Sequence, residues 1–259
     1  MPKKKINGSS LLKHLFLSIL ILLVIFSGFI YFRYWSTIKF LYNDAVVKVN
    51  NCSEYTFKNR EKYLNSGKSL YVESTQIPND IKNAFVVIED KNFYKHGGIS
   101  TEAVFRVVYS LIVNNGKITQ GGSTIAQQLA RNVFLNFDKN YQRKLEEMFI
   151  ATKLEQKFTK NQILEFYINN INFSNNAYGI NSAAKKFFNK DCRELNLSEI
   201  CLLVGIPNDP QYYDPINHLN NALQRRDLIL NNMKENKYIT DTEYENAINY
   251  KIVLDLGKK

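Results

Sequence analysis

Residues Ile88–Gly98 read IEDKNFYKHGG, setting two carboxylates beside a histidine, two aromatics and two lysines. Two readings stand open: a charged helix end running into a glycine turn, or an active-site loop. Glu89 falls near the C-terminal end of a helix predicted over IKNAFVVIED, where the macrodipole disfavours a carboxylate. Val86, Val87, Ile88 and Phe93 flank it, and partial burial among them would raise its pKa, as suits a general acid or base. An isolated Glu-Asp pair is more often a solvated surface patch, and a lone histidine such as His96 more often a structural donor. The rest of the chain decides between them.

Around this stretch the spacing is helical. Pro78-Asn79-Asp80 supplies a turn and an N-cap, after which Ile81, Phe85 and Ile88 recur at helical intervals. A second helix is predicted over TEAVFRVVYSLIVN, stopped by Asn114-Asn115-Gly116. KITQGGSTIAQQLARNVF reads as a glycine-serine loop entering a helix. YQRKLEEMFIATKLEQKF, from Tyr141 to Phe158, is amphipathic, with Leu145, Met148, Phe149 and Thr152 expected on one apolar face. Further helices fit KNQILEFYINNI, NSAAKKFF, LSEICLLVGI and NALQRRDLILNNMKEN, and Asn196 with Glu199 resembles a capping box. Strands are few, with short ones predicted at DAVVKV and SLYVES. The expected fold is mainly α.

The N-terminus sets the organisation. Leu15 to Phe32 reads LFLSILILLVIFSGFIYF, with no charge between Lys13 and Arg33. That run approaches the ~20 apolar residues that span a bilayer. Lys3, Lys4, Lys5 and Lys13 precede it, and Tyr31, Tyr34 and Trp35 stand at its far end as an interfacial belt. The rival reading, a cleaved signal peptide, needs a shorter apolar core and a small-x-small cleavage site. The expected organisation is a basic cytoplasmic tail over 1–13, a transmembrane helix over 14–33, a connecting region over 34–76 and an extracytoplasmic domain over 77–259. With 259 residues, 45% of them hydrophobic, the chain has ordinary globular composition, and its formal charge of +10 favours an anionic partner. Cys52, Cys192 and Cys201 form no metal-site spacing and support no disulfide framework.

Two further segments bear on chemistry. In GGSTIAQQLARN, Ser123 and Thr124 enter a helix after two glycines and can offer hydroxyls and backbone N–H groups to an anion. Gln127, Gln128, Arg131 and Asn132 add polar groups over two turns, against only Ile125 and Leu129 as large apolar residues. Either a capped helix or the wall of a wet site fits. In the next helix Arg143 and Glu147 are an i, i+4 pair off the Leu145/Met148/Phe149 face, with Lys144 alongside. They form either a surface salt bridge of about 0.3–0.5 kcal/mol or a carboxylate between two cations able to grip a pyrophosphate.

Taken in order, these segments resemble the family 51 peptidoglycan glycosyltransferases. EDKNFYKHGG resembles the first motif of that family, GGSTIAQQLARN the second, RKLEE the third and KNQILEFYIN the fourth; AYGINSAAKKFFNK and LSEICLLVGIPNDPQYYDP follow in family order. The resemblance covers roughly Ile77 to Met233, and the length beyond it leads to the expectation of the monofunctional form. It implies a mainly helical, lysozyme-like domain with a head and a membrane-facing jaw. It also implies polymerisation of lipid II on the outer face of the bacterial cytoplasmic membrane, with release of undecaprenyl pyrophosphate. By motif, Glu89 would be the base that deprotonates the acceptor 4-hydroxyl, and Glu147 would assist departure of the pyrophosphate, directly or through a divalent cation (Mg or Mn). Arg143, Lys144, Arg131 and Arg106 would contact the pyrophosphate, and Ser123, Thr124, Gln127, Gln128 and Asn132 would shape the donor side. Asp90, Phe93, His96 and Gly98 would frame Glu89. Implied partners are lipid II, the lipid-linked glycan chain, the membrane, and division or elongation machinery; nucleic acid is not expected, because the basic residues are dispersed.

Three positions depart from the family pattern: Ala126 stands for threonine, Arg131 for lysine and Ser174 for glycine. Two other readings share the carboxylates. A lysozyme-like hydrolase or lytic transglycosylase would act on finished glycan but has no pyrophosphate leaving group for the motif-three cations. A non-catalytic membrane-anchored scaffold would not need Glu89 and Glu147 at all.

Overall fold

The structure is a computed structural model describing residues 8–102, 122–135 and 141–256. The chain divides into two compact units, residues 1–44 and 45–259. In the first, helix α1 (Gly8–Asn50) carries the apolar run, and almost all of its large apolar side chains, among them Phe16, Leu22, Ile25 and Phe32, are exposed. It consists of two stretches, His14–Phe29 and Tyr31–Asn50, bent by 46°. Among the described residues no single helix is long and apolar enough to cross a membrane, whereas the bent pair taken together meets that length and composition.

The described part of the second unit is built of helices: α2 (Glu54–Leu64), α3 (Asn79–Glu89), α4 (Ile125–Phe134), α5 (Tyr141–Lys157), α6 (Lys160–Asn170), α7 (Ile180–Phe188), α8 (Leu197–Gly205), α9 (Leu219–Glu235) and α10 (Asp241–Ile248). Among the described residues there is no strand, only an isolated bridge between Asn172 and Tyr178. Reciprocal capping boxes start several helices, including Thr124/Gln127 at α4, Thr159/Gln162 at α6, Asn196/Glu199 at α8 and Thr240/Glu243 at α10. Each satisfies N–H groups that the first turn leaves without an intrahelical partner. Helix α3 packs against α8 and α9, while α4 packs against α5 and α6, and α2 rests on α6. Phe57 of α2 stacks on Phe166 of α6 with centroids 4.0 Å apart, and Phe158 meets the same ring edge-on. Such pairs add about 0.5–1.5 kcal/mol beyond the burial itself.

Several expectations change. DAVVKV is the end of α1 rather than a strand: Ala45 and Val49, four apart, both enter the core of the second unit. That unit therefore begins inside the stretch expected to be connecting, and Cys52, Phe57 and Val72 are core residues as well. SLYVES runs without strand pairing because side chains take the place of a neighbouring strand. The N–H groups of Leu70, Val72 and Ser74 donate to Glu61 Oε1 (2.9 Å), Asn169 Oδ1 (2.9 Å) and Glu165 Oε2 (2.8 Å), and Asn169 Nδ2 returns a bond to Val72 O (2.9 Å). Pro78 itself is the N-cap of α3, with no side-chain cap bond. On α5 the buried seam is Glu147, Ile150, Ala151 and Leu154, at i, i+3, i+4 and i+7, whereas Leu145 is 38% exposed. The apolar stripe read from sequence lies beside that seam because the seam's first member is a charged residue. Helix α10 went unread, although Thr240 and Glu243 are its signal.

The turn after α6 carries the backbone strain. Ser174, Asn175 and Asn176 all adopt positive φ (71°, 49° and 60°), which explains why glycine suits position 174. Ala177 N–H closes the turn onto Ser174 O at 2.9 Å. Gly179 has φ +83°, and a Cβ there would stand 2.5 Å from the carbonyl oxygen of Asn169. Gly179→Ala is expected to destabilise the protein by more than about 2 kcal/mol, read as a lowered unfolding midpoint.

Candidate active site

The site forms where the C-terminus of α3 meets the N-terminus of α4. Asp90 accepts a hydrogen bond from Ile125 N–H at 3.1 Å, so its charge sits on the first turn of α4, where the helix dipole favours an anion. The same carboxylate meets His96 Nε2, with 3.0 Å to each oxygen. Thr124 Oγ1 donates to Gly98 O at 2.7 Å, closing the loop onto α4 a second time. Gly98 has φ +92°, and a Cβ there would stand 2.8 Å from the Ala151 backbone, so the loop reaches α5 only because it has no side chain at that point. Phe93 is fully buried under the Lys160 ammonium, 4.5 Å from the ring centroid, and that ammonium donates to His96 O and Glu155. Asp90, Phe93, His96 and Gly98 thus hold the end of α3 in place.

Glu89 lies within this frame with its side chain 8% exposed. Gln128 Nε2 donates to its Oε2 at 2.8 Å, and Tyr167 donates in turn to Gln128 Oε1 at 3.1 Å. Oε1 of Glu89 is buried with no hydrogen-bond partner among the described residues, and Arg225 Nη2 stands 3.8 Å from it. Burial pushes the carboxyl above its ordinary range; the Gln128 bond and the charges of Arg225 and Arg131 pull it back, and Asp90 adds to the rise. A carboxylate with one oxygen anchored and the other bare can receive a proton without giving up an existing bond.

Glu147, fully buried on α5, is held by Arg143 at one oxygen and by Lys144 Nζ at the other (2.7 Å). Lys144 also donates to Ser123 Oγ at 2.8 Å, linking α5 to the loop before α4. Burial and the neighbouring charges of Arg131 and Arg143 lower Lys144 to about 8. Arg131, whose buried Nε has no hydrogen-bond partner among the described residues, lowers both Glu89 and Lys144 by its charge. Thr124 and Gln127 spend their side chains on each other in the cap of α4, and Asn132 offers its carbonyl to Arg60. Arg106 lies outside the described residues.

Among the described residues no group of three His, Cys, Asp or Glu side chains could cage a metal ion. Both oxygens of Glu147 are already engaged by cations, so these residues do not fit a protein-held divalent cation unless Lys144 or Arg143 gives way.

Residues 56–234 match the family described as Transglycosylase, a span that contains both carboxylate centres. The chain belongs to the transglycosylase family. Penicillin-binding protein 1A of Aquifex aeolicus is 45% identical over 184 residues, covering 70% of this chain and 25% of that protein. Penicillin-binding protein 4 of Bacillus subtilis is 40% identical over 190 residues, covering 73% of this chain and 30% of that protein. The chain thus spans about a quarter to a third of the length of these curated relatives. A crystal structure of Penicillin-Binding Protein 1A from Haemophilus influenzae aligns over 73% of this chain and 18% of that chain, with 21% identity and a TM-score of 0.43.

Two residues of this transglycosylase site escaped the sequence reading. Arg225 and Arg226 are adjacent and chemically alike, yet Arg226 turns into the core to reach Ser198, Ile248 and Tyr250 while Arg225 turns toward Glu89. Nothing in QRRD separates them. Tyr167 reads as one more apolar position of α6 and is fully buried. With Lys144 lowered to about 8 by burial and by the charges of Arg131 and Arg143, affinity of this cationic site for an anionic substrate is expected to hold below that pH and to weaken above it. KM measured from pH 6.5 to 9.5 should rise on the alkaline side, and Lys144→Arg should move that rise to higher pH.

Proposed function

We propose that this transglycosylase polymerises lipid II into β-1,4 glycan with release of undecaprenyl pyrophosphate, in peptidoglycan synthesis. The observation that carries the reading is the pairing of two unlike carboxylates. Glu89 is buried, raised and half-bonded, while Glu147 is held between Arg143 and Lys144. Glu89 Oε1 would take the proton of the acceptor 4-hydroxyl as that oxygen attacks the anomeric carbon of the donor, with inversion. A lone pair of that oxygen forms the new C–O bond, and the electron pair of the old C–O bond departs with the pyrophosphate oxygen. Arg143, Lys144 and Arg131 supply fixed positive charge where the leaving group gains negative charge, the arrangement that lowers such a barrier most. Ser123 holds Lys144 in place, and Gln128 holds Glu89. Hydrolysis of finished glycan releases no anionic leaving group for this cationic cluster to stabilise, which favours transfer from a pyrophosphate donor. A lysozyme-like arrangement of head and jaw remains part of the same proposal.

The polyprenyl tail of such a donor stays in a bilayer, and the exposed apolar side chains of α1 support anchoring there, with the basic tail inside and the domain outside. Purified protein is expected to convert lipid II to polymer in detergent. Glu89→Gln should lower kcat at least ~10³-fold while substrate binding persists. Polymerisation by Glu89→Gln at the wild-type rate would remove Glu89 as the base, and release of reducing ends from finished glycan by the wild type would favour a hydrolase.

A further inference from the structure

The hydrogen bond that anchors Glu89 has a second stage that the chemistry above does not use. Gln128 is an amide with a donor end and an acceptor end, and turning it over would exchange them. Its Nε2 faces Glu89 Oε2 at 2.8 Å, and its Oε1 receives the hydroxyl proton of Tyr167 at 3.1 Å. Tyr167 is fully buried, and among the described residues its hydroxyl has no other hydrogen-bond acceptor. If Gln128 turned over, that proton would be left buried and unpaired, a state that folded proteins avoid. The tyrosine ring is itself fixed: it meets Phe85 edge-on at 5.5 Å and 87°, and Phe85 is one turn before Glu89 on the same helix. One side chain on α6 therefore braces α3 through its ring and α4 through its hydroxyl.

We propose that Tyr167 is a positioning residue for catalysis, locking the Gln128 amide with its donor end toward Glu89. The proposal rests on Glu89 being the base. Locked this way, Gln128 always stabilises the ionised carboxylate and never offers an acceptor to the protonated one, so Glu89 is ready to take a proton at the start of each cycle. The other groups facing Glu89 are Arg225 from α9, Arg131 from α4 and Asp90 beside it in the chain. Helix α8, also packed on α3, carries Glu199 as its one charged residue, and Glu199 is engaged by Lys190. Nothing else among the described residues stands in for the Tyr167–Gln128 pair.

The test is the pH profile of lipid II polymerisation by full-length wild type, Tyr167→Phe, Gln128→Ala and the double variant, with near-ultraviolet circular dichroism as a check on folding. Tyr167→Phe keeps the ring and removes the hydroxyl. Its acid limb is expected to move to higher pH than wild type, with activity down ~5-fold near pH 6.5 and nearly recovered at pH 8. In the double variant the phenylalanine should add no further loss to Gln128→Ala. An unmoved acid limb in a folded Tyr167→Phe protein, or losses that multiply in the double variant, overturns the positioning role while leaving Glu89 as the base. Should Tyr167→Phe fail to fold, the limb in Gln128→Ala decides: a shift upward supports the brace, and none overturns it. If Glu89→Gln retains polymerisation with its acid limb intact, the base assignment fails, and the positioning role with it.

Discussion

The carboxylate of Asp90 ties the site together. By bonding both Ile125 N–H and His96, it joins the first motif to the start of the helix that carries the second. The link matters because the two helices pack mainly elsewhere, α3 on α8 and α9 and α4 on α5 and α6. The position of Gln128 against Glu89, and of Ser123 against Lys144, follows from this junction. Thr124 and Gly98 reinforce it, and Lys160 pins the loop from the far side. The residues that surround the chemistry are thus mostly engaged in holding two helix groups together.

Burial then sets the two carboxylates apart. Glu89 has one donated bond and two cations at longer range, so desolvation dominates and the proton is held more tightly than usual. Glu147 has direct partners on both oxygens. Environment rather than residue type sets the two glutamates apart, as in other sites that hold two carboxylic side chains. Arg131 lies within electrostatic reach of Glu89 and of Lys144, so one cation acts on both parts of the site.

Much of this was legible in the chain. Helical spacing, the Asn196/Glu199 cap and the ordered motifs pointed to a mainly helical domain of this family and singled out Glu89 and Glu147, whose side chains are both buried. What escaped reading has physical reasons. DAVVKV is rich in β-branched residues, but Ala45 and Val49 gain more by burial at helical spacing than valine loses by helix propensity. SLYVES reads like a short strand, but the partners of its N–H groups are the side chains of Glu61, Asn169 and Glu165, which no local pattern announces. Thr124 and Gln127 looked like ligands for an anion and are spent on a cap, a role that sequence assigns equally well. Arg225 and Tyr167 reach Glu89 from helices far along the chain, and only packing selects them.

The central claim is that Glu89 is a buried carboxyl whose proton is held more tightly than an ordinary glutamate's. Infrared difference spectra of the carboxyl stretch, wild type minus Glu89→Gln, titrated from pH 4 to 9 in detergent, test it directly. The expected result is a carboxylic-acid band that disappears with a midpoint clearly above the ordinary glutamate range, and at still higher pH once Arg225 is replaced by leucine. A band already absent at the lowest pH, or a midpoint at or below the ordinary range, would contradict it.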